Sequence, residues 1–562
     1  MGVLVIAFSF ASADAFAQDF NQSKKNFKQA VVEQNSMTVA SLATEIAGFN
    51  TREAVDTLIW GYDYYAQLLV TLWRDRTQLQ LQQETYEDFM IEYKKLVAEI
   101  EDRKKKGLPG DPALNDRITK FNKKTEDFQK VKEQLTQVEV KINDINRIKS
   151  SIVGALAKFN SDQAVGELVN DLKKASAWTT RAAVAEALGQ IDHASALPAL
   201  RERLIKGESE SGAIVAVLDA LAKKNQWDPE TISAAALHLE STYWQVRLAA
   251  TTALKSSKSP HAIEPLISAL DKADGRMKHE IHDALVAVTG VDKGLETASW
   301  KGWFDSNKES LLGGSYKPKA DEGFQSDGKA KATTVEFYGI PVKSKNVIFI
   351  LDRSGSMAEP GAFNEEEERV QYTGGDKKVS SEIAGLRPAG TRKIDIAKYQ
   401  LKKVLLLLPK GTKFNIVFFN HTFTIMAQSM VSLDDSTRKS AFNFFEPLEP
   451  EGQTDPWQAL SKAFDFCAEP GPNGKLKREG ADTIYLMSDG LPFPPGKVVG
   501  PDEIVTRTRD WNQLRKIIIH TVFVSAEGTT DYDKGIKFME QLAKENGGIF
   551  KAPKQPKPPG GK

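Results

Sequence analysis

Hydrophobic residues recur at helical spacing through the N-terminal part of the chain. Residues 51–106 follow this pattern without a proline, residues 107–112 interrupt it with glycine and proline, and a second amphipathic stretch follows. Because glycine and proline end helices, the pattern predicts two long helices joined as a hairpin within residues 18–155.

The second predicted helix carries a heptad pattern. Its apolar residues occupy two heptad positions, Phe121, Phe128, Leu135 and Ile142 at one and Val131, Val138, Ile145 and Ile152 at the other. Such a stripe suits a helix that packs against its own hairpin partner, and it also suits a coiled coil that forms a homo-oligomer. Both interpretations stay open.

Short amphipathic segments alternate with polar turns farther along the chain. The segment RAAVAEAL at residues 181–188 recurs as RLAATTAL at residues 247–254, about twice a period of roughly 33 residues. A single helix pair cannot bury its apolar stripe, so neighbouring pairs must stack. The pattern resembles HEAT-like repeats and predicts an all-α solenoid over residues 156–312.

The pattern changes after a polar segment, residues 313–334, which is rich in glycine, serine and lysine and predicts a linker. From residue 335 to residue 553, apolar runs of strand length such as KNVIFIL at residues 345–351 alternate with amphipathic helices. This alternation predicts an α/β, doubly wound, Rossmann-like parallel sheet with one antiparallel hairpin. Residues 554–562 consist mostly of lysine, proline and glycine and predict a disordered tail.

Composition excludes some classes of protein. The 562 residues include 75 basic and 75 acidic side chains, so the chain lacks the excess of positive charge on which nucleic-acid binding depends. We therefore predict no nucleic-acid partner. Cys467 stands alone and cannot form an internal disulfide. No segment is long, apolar and uncharged enough to predict a transmembrane helix.

The N-terminus has the pattern of a secretory signal peptide. A short apolar run at residues 3–11 precedes Ala-Phe-Ala at residues 15–17, which fits an A-x-A cleavage site, although no lysine or arginine stands before the run. We predict that residues 1–17 form a signal peptide and that the protein is exported to the periplasm, the cell surface or the medium.

Oxygen-bearing side chains follow the ends of predicted strands. The first strand of the α/β region runs into Asp-x-Ser-x-Ser at residues 352–356, Gly-x-Thr-Asp at residues 452–455 precedes a helix, and Ser-Asp-Gly at residues 488–490 follows a later strand. In open α/β sheets the ligand site lies at the carboxyl ends of the strands. Hydroxyl and carboxylate oxygens suit a hard divalent cation.

These motifs, in this order over residues 335–553, resemble the von Willebrand factor type A domain and its metal-ion-dependent adhesion site. The resemblance implies that one divalent cation, Mg²⁺ or in its place Mn²⁺ or Ca²⁺, is held by Asp352, Ser354, Ser356, Thr454 and Asp489. It also implies that the cation binds a protein partner that presents an Asp or Glu side chain.

We therefore expect an exported, non-enzymatic, adhesion-type protein in which the helical repeats serve as scaffold and second interaction surface. His421 lies in a predicted hairpin turn and no Gly-x-Ser-x-Gly motif exists, so no serine nucleophile is predicted. The alternative is an intracellular or periplasmic assembly or maturation factor that works with an ATPase or a metal-enzyme complex.

Residues 358–392 depart from a compact domain of this type. They form a long insertion without evident secondary structure, and residues 365–368 within it are all glutamate. Because the insertion follows the Asp-x-Ser-x-Ser motif directly, we expect it to overhang the metal site and to restrict or provide contacts there. A solvated, disordered insertion is the other interpretation.

Overall fold

The computed structural model describes residues 2–109, 111–317, 335–361, 363, 377–467, 480–493 and 498–553. The chain divides into two compact units, Met1–Ala199 and Leu200–Lys562. In the described residues the first unit is helical, and the second combines helices with an α/β domain.

The first unit contains helices α1 to α6, which are Gly2–Val32, Ser36–Gly48, Arg52–Lys105, Pro112–Leu156, Asp162–Lys174 and Trp178–Gln190. The long helices α3 and α4 form the predicted hairpin. Arg76 of α3 and Glu139 of α4 make a buried ion pair at 3.0 Å, and the rings of Tyr93 and Phe121 lie 5.3 Å apart. The heptad stripe thus packs against its own partner helix, and the homo-oligomeric coiled coil stays a prediction. The predicted signal peptide overlaps α1 and is not tested by this helix.

Helix α7, Ala196–Lys206, spans the division between the units. The second unit continues with helices α8 to α13, which are Ser211–Lys224, Pro229–Leu237, Trp244–Ser257, Ile263–Lys272, Gly275–Thr289 and Thr297–Leu312. The two repeated segments end in leucines that are fully buried, Leu188 and Leu254. Helix α10 packs against both α8 and α12, so each helix covers the apolar stripe of its neighbours, as HEAT-like repeats require.

The α/β domain contains strands β1 to β9, which are Glu336–Phe337, Ile340–Pro341, Asn346–Asp352, Lys413–Phe419, Phe423–Ile425, Val431–Ser432, Thr483–Ser488, Ile518–Phe523 and Phe550–Lys551. Its helices α14 to α19 are Lys377–Ala384, Lys393–Leu407, Asp435–Phe445, Pro456–Asp465, Pro501–Asn512 and Tyr532–Glu545. In the seven-stranded sheet the order is β5-β4-β3-β7-β8-β9, and β6 also pairs with β4. The neighbours from β4 to β9 are parallel, whereas β5 and β6 run antiparallel to β4. The predicted Rossmann-like sheet with one hairpin is confirmed.

Two local features differ from the predictions. The insertion at residues 358–392 was expected to lack secondary structure, but it contains α14, because Ile383 is buried and gives this segment an apolar face. The small β1–β2 hairpin was not predicted, since its strands are too short to show alternation. Its turn uses left-handed backbone at Tyr338 and Gly339.

The glutamates at 365–368, most of the predicted linker and the tail at 554–562 lie outside the described residues.

Helix α12 docks onto the amino ends of two strands of the sheet. Arg276, 7% exposed, donates Nη1 hydrogen bonds to the carbonyl oxygens of Asp482 at 2.9 Å, one residue before β7, and Lys516 at 2.8 Å, two residues before β8. Lys516 also pairs with Asp219 of α8 at 2.6 Å. Within the second unit, charge-assisted contacts therefore hold the solenoid to the edge of the sheet where its parallel strands begin.

In the part of the chain that the structure describes, no helix combines the length and the hydrophobicity needed to cross a bilayer.

We expect His520 to make the α/β domain less stable in acid. Burial, followed by the charges of Arg276 and Lys343, lowers the pKa of His520 to about 4, and its Nδ1 accepts the backbone N–H of Ile549 at 2.9 Å. The unfolded chain takes up this proton near pH 6.5, so stability falls as the pH drops from about 6.5 towards 4, by at most about 3 kcal/mol.

The measurement is hydrogen exchange of β8 peptides, corrected for intrinsic rates, in wild type and His520→Asn. The asparagine oxygen still accepts the Ile549 N–H but does not titrate. The protection of β8 in the variant should therefore decline less steeply over this pH range than the protection of β8 in wild type. Parallel pH profiles for the two proteins would contradict the prediction.

Candidate metal centre

Asp352 is the last residue of β3, and its side chain is completely buried. One carboxylate oxygen accepts the backbone N–H of Ser354 at 2.7 Å, and the other accepts the hydroxyl of Ser488 at 2.6 Å. Burial, and after it the negative charge of Asp489, raise the pKa of Asp352 above its usual value. The two carboxylates therefore lie near one another at the carboxyl edge of the sheet.

Asp489 follows β7, the strand beside β3, and connects to both serines of the first motif. Its Oδ1 accepts the Ser356 hydroxyl at 2.8 Å, and the Ser354 and Ser356 hydroxyl oxygens lie 3.2 Å apart. Ser354 is buried, whereas Ser356 is exposed. The two serines thus form a polar path from the buried carboxylates to the surface.

Thr454 reaches the same edge on the loop before α17. The Gly355 N–H donates to the carbonyl oxygen of Gly452 at 2.9 Å, and Phe493 N–H donates to the Thr454 carbonyl oxygen at 2.8 Å. A β-carbon built on Gly490 would lie 3.9 Å from the Thr454 hydroxyl oxygen. The structure therefore gathers the three predicted motifs at one place.

Sequence reasoning missed Lys393, the first residue of α15. Its side chain is 3% exposed, and its Nζ lies 2.8 Å from Asp489 Oδ2 and 2.7 Å from Glu359 Oε2. Burial acts to lower the pKa of Lys393, but the two carboxylates outweigh burial and raise it, so the ammonium stays charged. A lysine opposes the helix dipole at a helix N-terminus. That position is the only sequence signal at Lys393, and it does not name Asp489 or Glu359 as the partner.

The predicted side chains fit a hard divalent cation. They provide hydroxyl and carboxylate oxygens, with neither sulfur nor imidazole, which is the donor set of Mg²⁺ and Ca²⁺. Asp352 and Asp489 are both buried at this edge, and the hydroxyls of Ser354 and Ser356 lie between them and the surface. The described residues contain no group of three or more His, Cys, Asp or Glu side chains able to hold a metal, so any site here depends on hydroxyl oxygens as well.

Family profiles agree with this architecture. The profile of the von Willebrand factor type A domain matches residues 390–552. The chain contains a von Willebrand factor type A domain. The HEAT-repeat profile matches residues 146–218 and the profile of the PBS lyase HEAT-like repeat matches residues 246–272, so HEAT-like repeats precede that domain. Both predicted family resemblances are confirmed.

Curated relatives are similar over part of the chain. The mouse inter-alpha-trypsin inhibitor heavy chain 4 is 23% identical over 297 residues, which cover 50% of this chain and 27% of that protein. Mouse heavy chain H2 is 27% identical over 149 residues, covering 26% of this chain and 15% of that protein. The human von Willebrand factor A domain-containing protein 3A is 24% identical over 140 residues, covering 25% and 10%. The chain thus spans about a quarter or less of the length of these relatives.

Two solved structures are also similar to part of the chain. An aerotolerance-related membrane protein from Bacteroides fragilis, crystallised with multiple mutations to serine, aligns at 18% identity and a TM-score of 0.24, covering 37% of this chain and 90% of that one. A von Willebrand factor type A protein from Catenulispora acidiphila aligns at 16% identity and a TM-score of 0.20, covering 37% and 44%.

We expect Ser488→Ala to destabilise the domain more than a comparable loss of a neutral hydrogen bond. The variant removes the hydroxyl donor to a buried carboxylate, a bond worth about 1.5–3 kcal/mol. Ser525→Ala is the control, because Ser525 is also buried but bonds to the neutral hydroxyl of Thr529 at 2.9 Å. Urea unfolding of the metal-free protein compares the two, and equal losses would show that Asp352 does not depend on Ser488.

Proposed function

We propose that the von Willebrand factor type A domain holds one divalent cation, Mg²⁺ or in its place Mn²⁺ or Ca²⁺, and binds an acidic side chain of a protein partner through it. The ligands would be the hydroxyls of Ser354, Ser356 and Thr454 and the carboxylates of Asp352 and Asp489. The observation that supports this most directly is the hydrogen-bonded path from Asp489 through Ser356 to Ser354 beside the buried Asp352.

The arrangement of the carboxylates favours binding of an external acid. Asp352 accepts a hydrogen bond from the Ser488 hydroxyl, and one oxygen of Asp489 pairs with the Lys393 ammonium, so neither carboxylate offers both of its oxygens to a cation. A cation held beside them would keep an open coordination position for a partner's carboxylate. The exposed Ser356 lies at the solvent side of the cluster, where such a partner has access.

The rest of the chain would support this interaction. HEAT-like solenoids offer extended surfaces for protein binding. We propose that the helical repeats act as scaffold and second interaction surface, that the role is binding and not enzymatic, and that the protein is exported by the signal peptide at residues 1–17.

The first test is a thermal melt of the 562-residue chain with Mg²⁺ or Mn²⁺ in place of chelator. A ligand that binds only the folded state raises its stability, by about 2.7 kcal/mol at a hundredfold excess over Kd. We expect the metal to raise the melting temperature of wild type and not that of Asp352→Ala. Asp502→Asn removes an exposed carboxylate at the start of α18 and should respond like wild type. Equal responses of the wild type and Asp352→Ala would contradict a specific site.

The second test addresses the acidic partner. A library of peptides that contain Glu is compared with the same library in which every Glu is Gln, at matched ionic strength, on immobilised protein. We expect retention that requires both Glu and the divalent cation, since the cation's open position favours a carboxylate over a neutral amide. Retention that survives excess chelator, or that does not distinguish Glu from Gln, would rule out recognition through the metal.

A further inference from the structure

Lys393 places a permanent positive charge inside the candidate metal centre. Its ammonium contacts Asp489 at 2.8 Å with only 3% of the side chain exposed, and Asp489 itself is buried. The second partner, Glu359, lies 2.7 Å away but is 59% exposed, so its ion pair with Lys393 forms in a high dielectric and contributes less than the buried contact with Asp489. The lysine therefore acts mainly on the buried carboxylate that is also a proposed metal ligand.

Lys393 changes the net charge of the metal-loaded site. Two ionised carboxylates, Asp352 and Asp489, neutralise a divalent cation. With the Lys393 ammonium in contact with Asp489, the buried part of the loaded site carries one excess positive charge, and the exposed Glu359 carboxylate, 2.7 Å from the same ammonium, compensates it only from the solvent side. An uncompensated buried charge is unfavourable, so the loaded site gains from the approach of an anion.

We propose that Lys393 couples metal binding to binding of the acidic partner. It weakens metal affinity while the partner is absent, because it competes for Asp489 and repels the cation. It strengthens the binding of a carboxylate once the metal is in place, because the carboxylate removes the excess charge. Such coupling is reciprocal, so metal and acid raise each other's affinity by the same factor. This inference rests on the proposed function.

A purely structural role would look different. If Lys393 only held Asp489 in place, its removal would disorder a ligand and weaken metal binding. The coupling role predicts the opposite sign for metal binding in the absence of the partner, since removal of a competing cation tightens metal binding. The direction of the change in metal affinity therefore separates the two roles.

The experiment titrates Mn²⁺ into the 562-residue chain by calorimetry, in the presence of sodium acetate or of sodium chloride at equal ionic strength. Acetate is the probe for the partner's carboxylate. The variants are Lys393→Met, which removes the charge, and Lys393→Arg, which keeps it. Lys398→Met is the control, because Lys398 is also buried on α15 but donates to the carbonyl oxygen of Glu446 at 2.8 Å.

We expect Lys393→Met to bind Mn²⁺ at least about tenfold more tightly than wild type in chloride, and to lose the gain in Mn²⁺ affinity that acetate gives wild type. Lys393→Arg and Lys398→Met should keep the wild-type response to acetate. If Lys393→Met unfolds in circular dichroism, Lys393→Gln replaces it with the same expectations, since its amide is neutral and still able to donate a hydrogen bond.

Unchanged or weaker Mn²⁺ binding by the neutral variant, with wild type binding normally, would overturn the role of Lys393 and leave the metal site standing. Wild type that does not bind Mn²⁺ at all would instead overturn the proposed function. An acetate effect that persists in the neutral variant would also overturn the coupling, because the excess charge would then not be its cause.

Discussion

The crowding of two carboxylates at the end of two adjacent parallel strands is the constraint on which the candidate site depends. The register pairs Leu351 of β3 with Met487 of β7, so Asp352 and the turn that carries Asp489 must lie side by side. Burying such charges costs several kcal/mol per ion unless hydrogen bonds and opposite charges compensate. The Ser488 hydroxyl, the Ser354 N–H and the Lys393 ammonium provide that compensation. The hydrophobic strands, covered by helices, keep the pair in place.

The parts of the site that follow from local pattern were predictable. Asp352 and Asp489 come directly after apolar runs of strand length, and parallel strands bring their carboxyl ends together, so both could be assigned from the sequence. Lys393 could not, because its place depends on the two ends of the insertion meeting. Pro360 and Arg392 pair across its base, and Lys393 N–H donates to the Glu359 carbonyl oxygen at 2.8 Å. A contact that closes so long a loop leaves no periodic trace in the sequence.

The helical part also combines features that local sequence pattern predicts with features that only the fold determines. Apolar periodicity predicted the α3–α4 hairpin and the stacked repeats, because each helix must cover its own stripe. Periodicity does not report which polar face meets the sheet. Arg276 occupies an ordinary position in α12, and only the fold shows that its guanidinium satisfies two backbone carbonyls at the start of β7 and β8. Polar docking of this kind depends on geometry across hundreds of residues of sequence separation.

The Arg276 docking has a mechanical consequence. It lies at the amino ends of the strands, whereas Asp352 and Asp489 lie at their carboxyl ends, so the solenoid and the candidate site are attached to opposite edges of one sheet. A pulling force applied between the candidate site and the solenoid would run along the strands. In that direction the parallel strands would have to slide past one another, breaking many backbone hydrogen bonds at once. Such a force would load the sheet in shear, parallel to its strands.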